Sequence, residues 1–355
     1  MQTFFIVAIL GLGFLITFQI AKASEYVAVL RGEEKARKQT NKVNAFMLLA
    51  FLIIGLIGVY YCNEKLKGKI LGEAASDHGV LIDRMLYITI ALTGIVFIIT
   101  QFCLFWFSFK YQESDKRKAY YYPHNNKLEL IWTVIPAIAL TVLVGFGLFY
   151  WFKITGNSPK DSMVVEVTGS QFKWEFRYPG KDKILGKKYF KNTDEAKGNP
   201  MGQLWDDPAN NDDVYNAGEM HLVVNKPVHL VINAKDVIHD VGLVHFRMKM
   251  DAVPGTPTTM WFTPKYTTKQ MIEKTGKPEF VYELSCDQMC GKGHYSMRAV
   301  VVVETQEEFD AWLAGKKPQY LVANPDKDPT AAKKDSVISN VPVATSTPVA
   351  MKMKN

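Results

Sequence analysis

The stretch Ser285-Cys286-Asp287-Gln288-Met289-Cys290-Gly291-Lys292-Gly293-His294-Tyr295-Ser296-Met297 decides how the second half of this chain is to be read. Two thiols stand four residues apart, an imidazole follows four residues later, and a thioether three after that. Gly291 and Gly293 let such a segment turn tightly, so one short loop between strands can bring all four donors to one point. Thiolate and thioether are soft ligands that select copper or zinc over magnesium or calcium. A second imidazole has to come from elsewhere, and His239, in Asp236-Val237-Ile238-His239, follows a strand pattern and is the best candidate. One thiolate with two imidazoles and a weak methionine makes a mononuclear blue-copper site, but this chain has one cysteine more. Two thiolates can bridge two copper ions, each completed by one histidine and one weak donor. Charge shared over two metals demands little ligand motion when an electron enters or leaves, which suits electron relay better than substrate binding. Three other readings stay open on the residues alone: a Cys286–Cys290 disulfide in an exported domain, a Cys2His2 zinc site, and ordinary packing of His294 and Met297. His245, six residues past His239, is the rival ligand.

Outward from this loop, the sequence from 155 onward reads as a β-rich domain. Short β-branched and aromatic runs at 163–168, 221–224, 229–233, 279–284 and 298–304 alternate with turn signals such as Pro179-Gly180, Asn225-Lys226-Pro227 and Pro254-Gly255. Many short strands without a helical period predict an antiparallel sandwich or barrel over 155–312. The polar stretch 181–218 reads as a surface insertion, 307–315 as a short amphipathic helix, and 318–355 as a disordered tail rich in Lys, Pro, Ala, Ser and Thr.

The first 154 residues are of another kind. Four runs, at 1–21, 43–62, 85–109 and 130–152, carry no charged side chain across roughly 20 positions each, enough to span a hydrocarbon core. Aromatic residues cluster at their ends, among them Tyr60, Tyr61, Trp106, Trp132, Tyr150 and Trp151. Lys22, Arg31, Lys35, Arg37, Lys38 and Lys42 follow the first run, and Lys116, Arg117, Lys118 and Lys127 follow the third. These positive segments belong in the cytoplasm, which puts the N-terminus and everything after Trp151 outside. Ala21-Lys22-Ala23 resembles a signal-peptide cleavage site, but Met1-Gln2-Thr3 lacks a positive start and cleavage would strand the basic segment outside, so four retained spans are expected.

The whole-chain averages hide this division. Across 355 residues, 48% are hydrophobic, 22% are charged and the net charge is +7, with a mean hydropathy of −0.03. That composition excludes a disordered or collagen-like chain. Four cysteines are too few for a disulfide-stapled scaffold. No Cys-x-x-Cys-His occurs, so no c-type haem is attached to this chain and an electron donor has to be separate.

Taken together, these motifs resemble subunit II of the haem–copper cytochrome c oxidases. Cys-x-Glu-x-Cys-Gly-x-x-His-x-x-Met is matched by Cys286, Cys290, Gly291, His294 and Met297. Asp-Val-x-His and the later Lys-x-Asp-Ala-x-Pro-Gly are matched by Asp236 to His239 and by Lys249 to Gly255. Glu-x-x-Trp-Thr-x-x-Pro is matched by Glu129, Trp132, Thr133 and Pro136, and Gln-aromatic-x-Trp by Gln171, Phe172 and Trp174. The likeness covers roughly 85–313. It implies membrane helices followed by a cupredoxin-like β-barrel outside the membrane that carries dinuclear CuA. Cys286 and Cys290 would bridge the coppers, with His239 and His294 as terminal imidazoles, Met297 as a weak ligand and Gln288 giving its backbone carbonyl. The centre would take electrons from a cytochrome c or another c-type haem protein, free or held in a respiratory supercomplex. It would pass them to haem in subunit I, where oxygen is reduced with proton translocation. Glu129 would lie at the entrance of a proton path, and Phe172 and Trp174 at electron entry. The location implied is a bacterial inner membrane, crossed several times, with the C-terminal domain in the periplasm.

Four departures from the pattern matter. Gln288 replaces the glutamate that also holds a magnesium ion at the interface with subunit I, near which Asp251 falls; a neutral amide weakens that site. Phe172 stands where the family has tryptophan. The family has two spans and this chain shows four, and Asp240 follows His239 where serine is usual. The alternative reading is a membrane-anchored copper carrier or oxidase assembly factor, for which the Glu129 and Trp132 pattern would be superfluous. No nucleic-acid partner is expected.

Overall fold

The computed structural model describes residues 2–67, 72–114 and 116–329. The chain divides into two units, one made of residues 1–72 and 84–147, the other of 73–83 and 148–355.

The first unit is helical. It comprises α1 (Gln2–Arg31), α2 (Glu33–Leu66), most of α3 (Asp77–Lys110) and most of α4 (Asn126–Thr155). The helices α2, α3 and α4 are long and apolar enough to cross a membrane, and α4 buries no side chain at all. A helix apolar all round that leaves most of its side chains uncovered is at home only in lipid or against a partner. The expected first span lies within α1; the side chains of its first residues fall outside the described ones, and α1 does not join those three. The basic segment between the first two expected spans is helical rather than a loop. The chain breaks only at Gly32, whose φ of 87° is one that a side chain would disfavour. Beyond it Glu33 and Glu34 occupy the first turn of α2, where the helix dipole favours acids. α2 packs on α3 through Phe46 against Phe109 (5.2 Å between ring centres) and Phe51 against Phe105 (6.0 Å). Arg37 and Asn41 of α2 both reach Glu113, just past α3, at 3.2 and 3.3 Å.

The second unit holds two five-stranded sheets. The strands are β1 (Met163–Ser170), β2 (Lys173–Tyr178), β3 (Val214–Ala217), β4 (Glu219–Val223), β5 (Val228–Ala234), β6 (His239–Leu243), β7 (Met248–Ala252), β8 (Thr258–Phe262), β9 (Tyr282–Cys286) and β10 (Arg298–Glu304). The sheet orders are β3-β2-β1-β5-β8 and β4-β10-β9-β6-β7. Two pairs run parallel, β1 with β5 and β4 with β10; the other pairs are antiparallel. The fold class read from the sequence, helices able to cross a membrane followed by an all-β domain of sheets, is the one observed, with the two parallel pairs a departure from the antiparallel pairing expected. Alternation along the strands makes the core: Val228, Leu230 and Ile232 of β5 and Ala299, Val301 and Val303 of β10 point inward. They meet Trp174, Phe176, Leu222, Phe262, Tyr282 and Leu284, all fully buried. Each large side chain buried this way contributes about 1.5–3 kcal/mol.

The segment 73–83 is gripped by this domain. Ser76 donates its hydroxyl to the Phe246 carbonyl at 2.6 Å, Ala75 N–H donates to His245 O at 2.8 Å, and Arg247 pairs with Asp83 at 2.9 Å.

The insertion is ordered and ends sooner than expected, because residues from Val214 form β3 and pair with β2. A buried ionic cluster ties it down. Arg177 of β2 bonds Glu166 of β1 at 2.6 Å, the Gly186 carbonyl at 2.8 Å and Asp213 at 2.9 Å, and Lys188 also reaches Glu166. The chain past 318 departs from the expected tail as well. After α5 (Thr268–Thr275) and α6 (Gln306–Ala314), residues Gln319–Ala323 form α7. Gln319 donates to Asp213 O (2.9 Å) and Gly198 O (2.7 Å), and Tyr320 packs on Trp205. These contacts give a polar segment somewhere to dock, which composition cannot reveal. Residues 330–355 of the expected tail lie outside the described residues.

Candidate metal centre

Three loops at one end of the β domain build the site. His239 opens β6, Cys286 closes β9, and Cys290, His294 and Met297 follow in the loop leading to β10. The ladder fixes the first two: Val241 of β6 pairs with Cys286 of β9. Across the mouth of the loop, Cys286 N–H donates to the Met297 carbonyl at 3.1 Å, so the loop starts and ends at the same place.

The Cys286 and Cys290 sulfurs are 3.7 Å apart and not joined. His239 Nδ1 is 3.9 Å from the Cys286 sulfur, and His294 Nδ1 is 3.7 Å from the Cys290 sulfur. Met297 Sδ stands 3.9 Å from Cys290, and the Gln288 carbonyl 3.2 Å from the Cys286 sulfur. Among the described residues, the one set of histidine, cysteine and acidic donors lying within 4.8 Å of one another is His239, Cys286 and Cys290, all buried. His294 does not join that mutual set, so there is one imidazole at each sulfur rather than four donors around a single point. Soft sulfur with imidazole suits copper, and the residues present fit a copper site. Burial, and then the neighbouring Cys286 thiol, push the Cys290 thiol up to about 11, so metal uptake expels its proton.

Two polar residues outside this set hold it in place. Asp236 Oδ1 accepts from His239 Nε2 at 2.8 Å and from Val237 N–H at 2.7 Å. With Nε2 committed to a carboxylate, Nδ1 is left to face the sulfurs. Gln171, in the turn between β1 and β2, donates its backbone N–H to Asp236 Oδ2 and its side-chain amide to the Cys290 carbonyl, both at 2.7 Å. The sequence patterns contain both residues but give neither a role. An aspartate three before a ligand histidine is the one local signal that could have found Asp236.

Phe172 is 39% exposed, and its ring lies against the ligand loop: a Cβ on Gly293 would come within 2.5 Å of it, and one on Gly291 within 3.2 Å. Trp174 is fully buried, 6.0 Å from the His239 ring, so nothing arriving from solvent touches it. The rival ligand His245 sits elsewhere, edge-on to Phe280 and Tyr282 at 5.0 and 5.5 Å. Gln288 is exposed. Asp251 stands opposite Asp240 in the β6–β7 ladder, and burial, together with the hydrogen bond that protonated Asp240 can donate to Asp251, raises Asp240 to about 7. Glu129 lies in the first turn of α4, exposed, its carboxylate accepting from Asn125 N–H at 3.2 Å.

The chain is similar to known proteins over both of its units. Residues 73–149 match the transmembrane domain of cytochrome c oxidase subunit II, and residues 163–305 match its periplasmic domain. The alternative cytochrome c oxidase subunit 2 of Bradyrhizobium diazoefficiens is 36% identical over 237 residues, 66% of this chain and 80% of that protein. Cytochrome c oxidase subunit 2 of Cereibacter sphaeroides is 28% identical over 237 residues, 64% of this chain and 73% of that one. A crystal structure of the periplasmic domain of subunit II of cytochrome oxidase from Bradyrhizobium japonicum covers 46% of this chain and 99% of its own, with 22% identity and a TM-score of 0.32. By the two family-model matches and the 36% identity to the Bradyrhizobium diazoefficiens relative, the chain belongs to the cytochrome c oxidase subunit II family.

Proposed function

We propose that this chain is the electron-entry subunit of a proton-translocating terminal oxidase in a bacterial inner membrane, and that Cys286 and Cys290 bridge a dinuclear copper centre in its periplasmic domain. The observation that carries the proposal is the pair of unjoined thiols 3.7 Å apart with a separate imidazole at each. A copper pair, when bound, supplies a one-electron carrier that needs little rearrangement. The chain's own residues do the rest. His239 and His294 complete the two ends, and Met297 and the Gln288 carbonyl offer weak donors. Burial of both cysteines keeps water from the sulfurs. Phe172, half exposed over the ligand loop, is the surface on which a c-type haem donor would approach. Trp174 packs behind His239 in the core.

Electrons would leave toward a haem in subunit I, with which the membrane helices would assemble. Glu129 would stand at the entrance of a proton path there; its bond to Asn125 N–H also makes it a helix-end carboxylate. The residues present do not fit an interface magnesium: Gln288 presents a neutral amide, and Asp251 is engaged by Asp240 across the β6–β7 ladder.

Metal analysis and electron paramagnetic resonance of the purified oxidase test the reading. Two coppers per chain sharing one unpaired electron are expected, and Cys290→Ser should abolish both that signal and turnover with the haem donor. Retained turnover in Cys290→Ser, or one zinc in place of copper, would overturn it.

A further inference from the structure

Three segments far apart in sequence meet at the metal centre: the β1–β2 turn with Gln171 and Phe172, the β5–β6 loop with Asp236 and His239, and the β9–β10 loop with both cysteines. Backbone pairing does part of the joining, through Lys235 N–H to Gly169 O (3.0 Å) and Asp287 N–H to Asp240 O (3.3 Å). Apart from the 3.9 Å approach of the His239 and Cys286 ligands themselves, two residues make the side-chain bonds that join the three among the described residues. Gln171 touches the β5–β6 loop with its backbone and the β9–β10 loop with its side chain, at 2.7 Å each. Asp236 receives the first of these bonds and passes the constraint to the His239 ring through its other oxygen. The Gln171 amide bonds the carbonyl of Cys290 itself, so the residue it fixes is a ligand. A Cβ at Gly291 would stand 3.0 Å from that amide nitrogen, so glycine there leaves room for it.

Resting on the copper reading above, we infer that Gln171 is a positioning residue that clamps the Cys290 loop to the His239 loop through Asp236. The clamp holds the thiolate and imidazole ligands at fixed separation whether or not the metals are reduced. It also fixes Phe172, its chain neighbour, against the same loop, so the surface of electron entry and the ligand set move as one body. Groups bonded to metal ligands in this way change metal affinity by about 10–100-fold when removed.

The test compares Gln171→Leu with Glu195→Gln in the purified, detergent-solubilised oxidase. Leucine keeps the bulk and the backbone N–H but removes the amide donor. Glu195 pairs with Lys173 at 2.6 Å beside the same turn, without touching the clamp. The readouts are copper release to a cuprous chelator, the hyperfine pattern of the paired-copper signal, and the melting temperature of the metal-free protein. Gln171→Leu is expected to bind two coppers, release them about 10–100 times faster, show an altered hyperfine pattern, and melt metal-free like the parent. Glu195→Gln is expected to release copper at the parental rate. Parental release in Gln171→Leu would overturn the inference, and so would a metal-free melting temperature that falls in step with copper loss, since that is general loosening. A parent chain with no copper pair would instead sink the reading beneath it, and the two failures are distinguishable.

Discussion

At the scale of single residues, the ligands were legible because soft donors are rare and here are crowded into one short stretch. Cys286, Cys290, His294 and Met297 declare themselves by type and spacing, and His239 by following a strand. What surrounds them was not legible. Gln171 and Asp236 act through hydrogen bonds between loops more than 60 positions apart in the chain, and no spacing rule reports such a partnership. Gly293 is a similar case: it reads as a turn residue, yet its φ of −93° is open to any side chain. Its reason is space, because a Cβ there would press to 2.5 Å from the Phe172 ring. Gly293→Ala is therefore expected to displace that ring while leaving every donor in place. Copper content should stay at the parental value, and reduction by the haem donor, followed by stopped flow, should slow on the order of ten- to a hundred-fold, the cost of an ångström's misplacement at a reacting contact. Parental kinetics in this variant would mean that electrons enter away from Phe172.

At the scale of elements, the β-branched and aromatic runs read from the sequence overlap β1, β4, β5, β9 and β10, whereas β2, β3, β6, β7 and β8 were not among them. The insertion was not legible, because its composition is that of a solvated loop while its energetics are those of a core. Arg177, Glu166 and Asp213 are nearly or fully buried, and each depends on partners that fold topology supplies. Removing one member strands a buried charge, which typically costs about 3–5 kcal/mol. Burial pushes Asp213 up to about 7 from an ordinary 3.8, against the pull of Arg177. A carboxyl raised in this way holds its proton longer in the folded chain than in the unfolded one. Between about pH 4 and pH 7 the folded state then binds more protons, and stability falls as pH rises through that window. Melting of the oxidase's β domain should accordingly drop by roughly 5–10 °C from pH 5 to pH 8, the response of a domain this size to a change of about 2–3 kcal/mol. Amide exchange in 181–213 should rise over the same range. Asp213→Asn, which cannot ionise, should flatten both; a slope unchanged in that variant would place its origin in another group.

At the scale of the whole molecule, the two units obey different solvents, and their charges say which side of the membrane each end faces. The periplasmic domain follows directly on α4, so the chain at Thr155 is outside, and α4, α3 and α2 then alternate. The α3–α4 connection with Lys116, Arg117 and Lys118 falls inside, the short α2–α3 connection outside, and the start of α2 with Lys35, Arg37, Lys38 and Lys42 inside. The two richest basic clusters thus land in the cytoplasm and only Lys65, Lys67 and Lys69 fall at the outer connection, as the bias of positive charge requires. This holds whether or not α1 crosses. If α1 crosses, the first residue is outside and the chain makes four passages; if it lies along the surface, the first residue is inside and there are three. A reporter enzyme active only outside the inner membrane distinguishes the cases. Fused after Lys67 or Thr155 it should be active, and after Lys118 silent. An epitope placed ahead of Gln2 should be reached by antibody in spheroplasts without permeabilisation. Activity after Lys118 would contradict the arrangement of α2 to α4, whereas an epitope reached only after permeabilisation would remove α1 alone from the count of spans.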